Sequence, residues 1–409
     1  MSTGAREREV LRRLAGQMAE AAALPIQTER AELVKGLNSL RPQRPVILVF
    51  PEGGWRDLVT EEELVCQDEF LRGVEQTLRC WLFRHDHIGD DHPIPDFLGL
   101  RWVVELSDFG LVTPQTRVET LGSYHWDPPV KRREDLEKLR FRTLTVDRAA
   151  TARRVELARD IFGDLLRVEI RGALWWSLGL THSLIMLRGL DQMMYDMHDD
   201  PELVHRLMTF LRDDQARILD RLEAENLLCL NNGPTDYAGS GGLGYTDELP
   251  AADFAGQVRC QDMWALAESQ ETVGVGPAMF EEFVLRYQVP LINRFGLACY
   301  GCCEPVDKRL DLITKHIPRL RRISISPWCD RQVAAEKLGR RYVYSWKPNP
   351  ALVCAPMVDW AGLEQSTRET VEATRDCCVE MVLKDTHTFH GDKSRPGRWV
   401  QAARRATVA

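Results

Sequence analysis

Strand-like apolar runs alternate with helical segments along most of this chain, and that alternation restricts the fold more than any other feature. The runs fall at residues 46–50, 166–170, 227–230, 264–267, 298–302, 322–326, 342–346 and 380–383. A strand followed by a helix returns to its sheet in parallel, because a parallel neighbour needs a long crossover. Eight such units in one chain predict a closed α/β barrel of the TIM (β/α)8 type, with an open doubly wound sheet as the alternative. No G-x-G-x-x-G or P-loop pattern stands immediately after any run, which disfavours a nucleotide enzyme.

The helical segments carry their own signals. Asp200-Pro201-Glu202 supplies an N-cap, a proline at the first helical position and an acid in the first turn, ahead of an apolar face of Leu203, Leu207, Leu211 and Ile218. Residues 181–198 are apolar at helical spacing, and residues 277–295 place Phe280, Phe283, Tyr287 and Leu291 on one face. Residues 1–40 form an N-terminal helical extension with Leu11, Leu14, Met18 and Ala22 in register, and residues 41–409 form one barrel domain. A large insertion after the first strand, about residues 51–160, is expected to lie over one end of the barrel. Within it, His85, Asp86, His87, Asp90, Asp91 and His92 have the composition of a metal cluster, but Gly89 and Pro93 mark a solvated loop or lid. Gly239, Ser240, Gly241, Gly242 and Gly244 likewise indicate a flexible loop suited to a lid, and Trp175 and Trp176 are expected to pack in the core.

A net charge of -8 with no basic run argues against a general binder of nucleic acid or anionic membranes. No segment offers the roughly 20 apolar residues that span a bilayer, and the polar stretch from Met1 to Arg13 lacks a secretory core, so a cytoplasmic location is expected. Eleven cysteines, an odd number spread over 409 residues, fit reduced thiols better than a disulfide framework. Two adjacent pairs stand out, Cys302-Cys303 and Cys377-Cys378.

In (β/α)8 enzymes the chemistry sits at the C-terminal ends of the strands. Here those ends carry Glu268 with Gln270 and Glu271, Cys302-Cys303-Glu304, Lys347 with Asn349, and Lys384-Asp385-Thr386-His387; Asn231 follows the run at 227–230. A carboxylate, two thiols and an imidazole from three strands are the donor types zinc prefers. The competing expectation is that each residue caps a helix or bonds a loop.

Residues 190–211, with Asp191, Met194, Tyr195, Asp199-Asp200-Pro201-Glu202 and Val204, resemble the helix pair of uroporphyrinogen decarboxylase-like proteins. Residues 264–290, with Pro277, Phe280, Phe283, Tyr287 and Pro290, resemble the family segment in which a strand ending in an acid precedes a helix. The resemblance spans roughly residues 165–400 and implies a TIM barrel and a cytoplasmic enzyme. Decarboxylases of that superfamily use an arginine-rich motif and neither metal nor cofactor. The corresponding place here reads Phe50-Pro51-Glu52-Gly53-Gly54-Trp55-Arg56, without the arginine pair. Its methyltransferases bind zinc through His-x-Cys and a further ligand at the last strand. Tyr300-Gly301-Cys302 stands in that place, matching the cysteine and not the histidine.

The resemblance thus implies a zinc-dependent methyltransferase moving a methyl group from or to a small molecule, with Cys302, Cys303 and His387 as metal ligands. Asp385 is the other last-strand candidate, and Glu268 another source of the missing ligand. Glu268 and Asp385 are the expected catalytic residues; Gln270, Tyr300, Lys347 and Asn231 are the expected substrate contacts. Cobalamin would arrive only on a partner corrinoid protein, because no segment resembles a cobalamin-binding module. The alternatives are a cofactor-free decarboxylase of a porphyrinogen or other carboxylic acid, using Asp385, Lys347 or Arg56, and a binding protein without catalysis, which Tyr300 in place of the histidine favours.

Overall fold

The computed structural model describes residues 4–117, 124–173 and 177–407, so Trp175 and Trp176 lie outside the described residues. The parallel strands are named in chain order: β1 Val46–Val49, β2 Phe97–Leu100, β3 Arg167–Ile170, β4 Trp264–Ala267, β5 Leu297–Tyr300, β6 Leu320–Ile325, β7 Val343–Trp346 and β8 Cys378–Leu383. Six of them form one sheet in the order β1-β8-β7-β6-β5-β4, every neighbouring pair parallel. β2 and β3 pair in parallel as a separate ribbon. The protein is thus a mixed α/β structure around a parallel sheet.

Residues 227–230, expected as a strand, make no strand pairing. The Asn231 side chain meets β4 instead: Trp264 N donates to Asn231 Oδ1 at 2.9 Å, and Asn231 Nδ2 donates to Trp264 O at 3.1 Å. One amide therefore satisfies both backbone groups of an edge residue, which accounts for Asn231 without a substrate.

The free edge of β1 is satisfied in a similar way. Ile47 N donates to Asp91 Oδ2 and Val49 N to Asp90 Oδ2, each at 2.9 Å, while Asp91 N donates to Ile47 O at 2.8 Å. Arg84 pairs with Asp90, and Arg44 grips Asp91 with two bonds of 2.7 and 2.8 Å. The expected solvated loop is therefore buried at Asp90, Asp91 and His92, which are 0%, 1% and 3% exposed. These carboxylates replace a missing neighbour strand.

Strand alternation sorts the sheet into two faces. Ile47, Val49, Ala265, Ala267, Ala298, Tyr300, Ile323 and Ile325 join the main core with the surrounding helices, among them Pro201–Ala224, whose N-cap Asp200 accepts from Leu203 N. Val46, Leu48, Val343, Cys378 and Val382 face the other way, against Val34 and Leu37 of the helix Pro25–Asn38 and against Leu243. That second face also carries a buried ion pair, Arg322 Nε to Glu380 Oε1 at 2.9 Å. Its desolvation is offset because Arg322 Nη2 also donates to Asn38 Oδ1 at 2.7 Å and Leu243 O at 2.8 Å.

The glycine-rich stretch packs on this face and is no lid. Tyr237–Gly239 and Gly242–Leu243 pair antiparallel, and every residue from Ala238 to Gly244 is buried. A Cβ on Gly241 would stand 2.4 Å from Val382 Cγ1, and one on Gly244 only 2.1 Å from the Asn231 carbonyl. Glycine is there because the hairpin touches the sheet. Gly244→Ala is expected to destabilise the fold by about 2 kcal/mol through overpacking, read from urea unfolding midpoints.

The helical reading needs three adjustments. Residues 181–198 form two helices, Thr181–Arg188 and Leu190–Asp199, broken at Gly189 with φ +93°. The segment from Pro277 passes through a wide turn at Glu281–Leu285 and stops at Ile292. The N-terminal extension is two helices, Ala5–Ala22 and Pro25–Asn38. Among the described residues, no helix is long and apolar enough to cross a membrane.

Candidate active site

A cavity of about 720 Å³ opens at the C-terminal ends of the sheet strands. Glu52 enters it after β1, Glu268 and Gln270 after β4, Cys302 after β5 and Lys384 after β8. Leu106, Phe109, Leu211 and Ile218 supply an apolar wall with Arg142 beside them, drawn from the insertion and from the long helix Pro201–Ala224. Arg142 contributes little free charge, because Asp214 accepts from its N and Nε at 2.7 Å each. A volume of this size suits a small organic molecule.

Two thiols, an ammonium and two carboxylates meet on one wall. Gly301, at φ +94°, reverses the chain after β5 and turns Cys302 toward the cavity. The two sulfurs of Cys302 and Cys303 are 3.6 Å apart. Lys384 Nζ donates to Cys302 Sγ at 3.6 Å and to Asp385 Oδ1 at 2.8 Å, while Cys303 Sγ donates to Asp385 Oδ2 at 3.4 Å. The Cys303 S–H, shared between Cys302 Sγ and Asp385 Oδ2, and the Lys384 cation draw the Cys302 thiol down to about 7 against the opposing effect of burial. Cys303 goes the other way, held as a thiol by its bond to Cys302, by burial and by Asp385. Burial alone would lower Lys384, but Cys302, Asp385 and Glu52 outweigh it and keep the ammonium charged.

Backbone strain marks the same place. Glu52 and Asp385 are non-glycine residues at φ +48° and +57°, and Asp385 N donates to Glu52 Oε2 at 2.7 Å. Such conformations persist where surrounding contacts over-determine them, as they do at functional sites. Burial raises the Glu52 carboxyl, with Lys384 partly offsetting it.

Glu268 is the second centre. It is 8% exposed, accepts from Ser177 Oγ at 2.8 Å, and is pushed up to about 8 by burial and then by the nearby Glu271 and Glu304 charges. It therefore carries a proton at neutral pH. Glu304, fully buried, ties the two centres together: Ser269 N donates to Oε1 at 2.8 Å and Cys302 N to Oε2 at 2.9 Å. His182 also lines the cavity, 3.6 Å from Glu271, whose hydrogen bond and charge raise the imidazole.

No protein-family model matches the chain, and no curated protein matches it. The site stands on its own geometry.

Of the residues expected from sequence, Glu268, Gln270 and Cys302 line the cavity, and Cys303 and Asp385 adjoin it. Tyr300 does not. It is fully buried on the helix side of β5, where its hydroxyl donates to Gln288 Oε1 at 2.7 Å. Lys347 is buried away from the cavity wall, donating to Ser345 O at 3.1 Å, and burial lowers it to about 8. His387 is exposed and lines none of the cavities described; Arg56 Nη2 donates to its carbonyl at 2.7 Å. Glu52, Lys384, His182 and Ser177 were not singled out as site residues. The first two stand directly after strands, so the strand-end rule contained the signal.

The two sulfurs have the spacing a soft metal requires. Two thiolates bound at 2.3 Å in a tetrahedron lie about 3.8 Å apart, close to the 3.6 Å observed. Asp385 is the adjoining oxygen donor, through its contact with Cys303. Lys384 presently supplies the positive charge between them. Among the described residues, no group of three or more His, Cys, Asp or Glu side chains is already set out as a metal site.

Proposed function

We propose that the chain is a (β/α)8-barrel enzyme of the uroporphyrinogen decarboxylase-like superfamily that moves a methyl group from or to a small molecule. Cys302 and Cys303 would hold zinc, with Asp385 as an oxygen ligand in place of His387, and a corrinoid protein docking at the cavity mouth would carry the methyl group. The observation that carries this reading is a thiol tuned to about 7 beside a second thiol, on the wall of a small-molecule cavity. When bound, zinc supplies a Lewis acid that polarises the heteroatom bearing the methyl group, or holds a thiolate in its nucleophilic form.

The chain's own groups do the rest. Lys384 favours the thiolate state of Cys302, which is the state that binds metal. Glu268, protonated at neutral pH, stands ready to give its proton to an oxygen that leaves its methyl group behind. Leu106, Phe109, Leu180 and Leu266 exclude water from the substrate. His182, held by Glu271, supplies a second proton donor at the rim.

Protein reconstituted with zinc and dialysed is expected to retain about one equivalent, and Cys302→Ala to retain none. With methoxylated or methylated small molecules and cob(I)alamin, methyl transfer is read from the cobalamin spectrum. Failure of the wild type to keep zinc would sink the metal mechanism. Arg101, on the cavity wall with no hydrogen bond or ion pair among the described residues, favours the second reading, decarboxylation of an acidic substrate. Metal-independent carbon dioxide release from a carboxylic acid would establish that reading instead.

A further inference from the structure

At the opposite end of β1, where Arg44 leads into the strand, lies a cavity of about 540 Å³ walled by Arg30, Arg44, Arg404, Asp91, Glu29 and Leu33. Arg30, on the helix Pro25–Asn38, is only 8% exposed and makes no ion pair among the described residues. Its one hydrogen bond is a 3.4 Å contact from Nη1 to Gln27 Oε1, an oxygen already accepting from Ile94 N at 3.0 Å. Asp91 has no capacity left for it. Oδ1 accepts from Arg44 Nη2 at 2.8 Å and Arg404 Nη2 at 3.2 Å, and Oδ2 from Arg44 Nη1 at 2.7 Å and Ile47 N at 2.9 Å.

Arg30 thus has one weak acceptor while its other guanidinium nitrogens are not sealed from solvent, and the donors it presents are forked to match two oxygens of one anion. On the cavity wall, Arg30, Arg44 and Arg404 stand against Asp91 and Glu29, leaving one positive charge over. We propose that this cavity is a binding site for a small oxyanion, the carboxylate or phosphate group of a metabolite, with Arg30 as its principal donor and Arg404 closing over it. Burial disfavours the charged form of Arg30, and the Asp90 and Asp91 charges offset this only in part. The site is separate from the thiol cavity and does not depend on the methyl-transfer reading.

Titration calorimetry of the full chain with inorganic phosphate, and separately with acetate, tests this, with sodium chloride at matched ionic strength as control. At least one of the two anions is expected to bind saturably and to raise the unfolding temperature. Binding of phosphate alone identifies a phosphoryl ligand, and binding of acetate identifies a carboxylate. Arg30→Met should weaken binding by at least about tenfold with little effect on the stability of the ligand-free protein, since the side chain's one hydrogen bond is a long one. Arg404→Met, at a more exposed position, should weaken binding to a smaller degree. Absence of binding by both anions, or equal binding by wild type and Arg30→Met, overturns the proposal.

Discussion

Alkylation of Cys302 by iodoacetamide is expected to follow an apparent midpoint near pH 7 in the wild-type protein, and Lys384→Met is expected to move that midpoint above 8. The two adjacent thiols titrate as a pair, so the assignment of the thiolate rests on their neighbours. Cys302 faces the Lys384 ammonium at 3.6 Å, whereas Cys303 donates to the Asp385 carboxylate at 3.4 Å. The negative charge therefore belongs on Cys302. Removing the cation leaves only the Cys303 hydrogen bond to favour ionisation, against burial, Asp385 and Glu304. With the midpoint above 8, the thiolate fraction at pH 7, and with it the alkylation rate, should fall by at least about fivefold. Cys303→Ala should act in the same direction, because it removes the S–H that bonds Cys302. Peptide mass spectrometry separates Cys302 from the other thiols, of which Cys66, Cys80 and Cys260 are each pushed up to about 12 by burial. An unchanged midpoint in Lys384→Met would show that the lysine does not tune the thiol, and the argument for a metal-ready cysteine would lose its electrostatic basis.

The parallel strands were legible wherever an apolar run was buried on both faces, as at β1, β4 and β8. The run at residues 227–230 has the same composition and yet pairs with nothing, because the side chain of Asn231 takes the bonds a strand would have used. Composition could not reveal that substitution. It misjudged Asp90 and Asp91 for a related reason: two acids beside glycine and histidine describe a solvated loop until a free strand edge claims them. The glycine stretch shows the same limit, since Gly241 and Gly244 serve close packing here, and flexibility has the same spelling. Tyr300 is different, because its side was readable. Alternation puts Tyr300 with Ala298 on the helix face, and only the turn at Gly301 brings Cys302 round to the cavity. The candidate site itself followed from position at strand ends, which is why Glu268 and Cys302 were found, while the side-chain pairing of Lys384 with Cys302 needed three-dimensional structure.

Glu268 should make the protein less stable as pH rises, and Glu268→Gln should abolish that part of the dependence. In the unfolded chain this carboxyl ionises at the ordinary glutamate value, whereas in the folded protein it holds its proton up to about 8. Between those values the folded state binds one more proton than the unfolded state. Raising the pH therefore favours unfolding, by about 1.4 kcal/mol for each unit across that window. Below the unfolded value both states are protonated and the contribution vanishes; above about 8 both are ionised and the loss is complete. Glu52 and Glu304 are raised by burial as well, so a weaker slope of the same sign should persist in the variant. Glutamine keeps the shape and the capacity to accept from Ser177 Oγ, and it cannot ionise. The variant is thus expected to match the wild type near pH 5 and to exceed it by several kcal/mol at pH 8, in urea unfolding measured at a series of pH values. The same ionisation predicts that any reaction using Glu268 as a proton donor fails as the pH passes about 8. Parallel stability profiles for wild type and Glu268→Gln would mean that the carboxyl is already charged at neutral pH, and the acid assigned to the methyl-transfer reaction would have to be sought at His182.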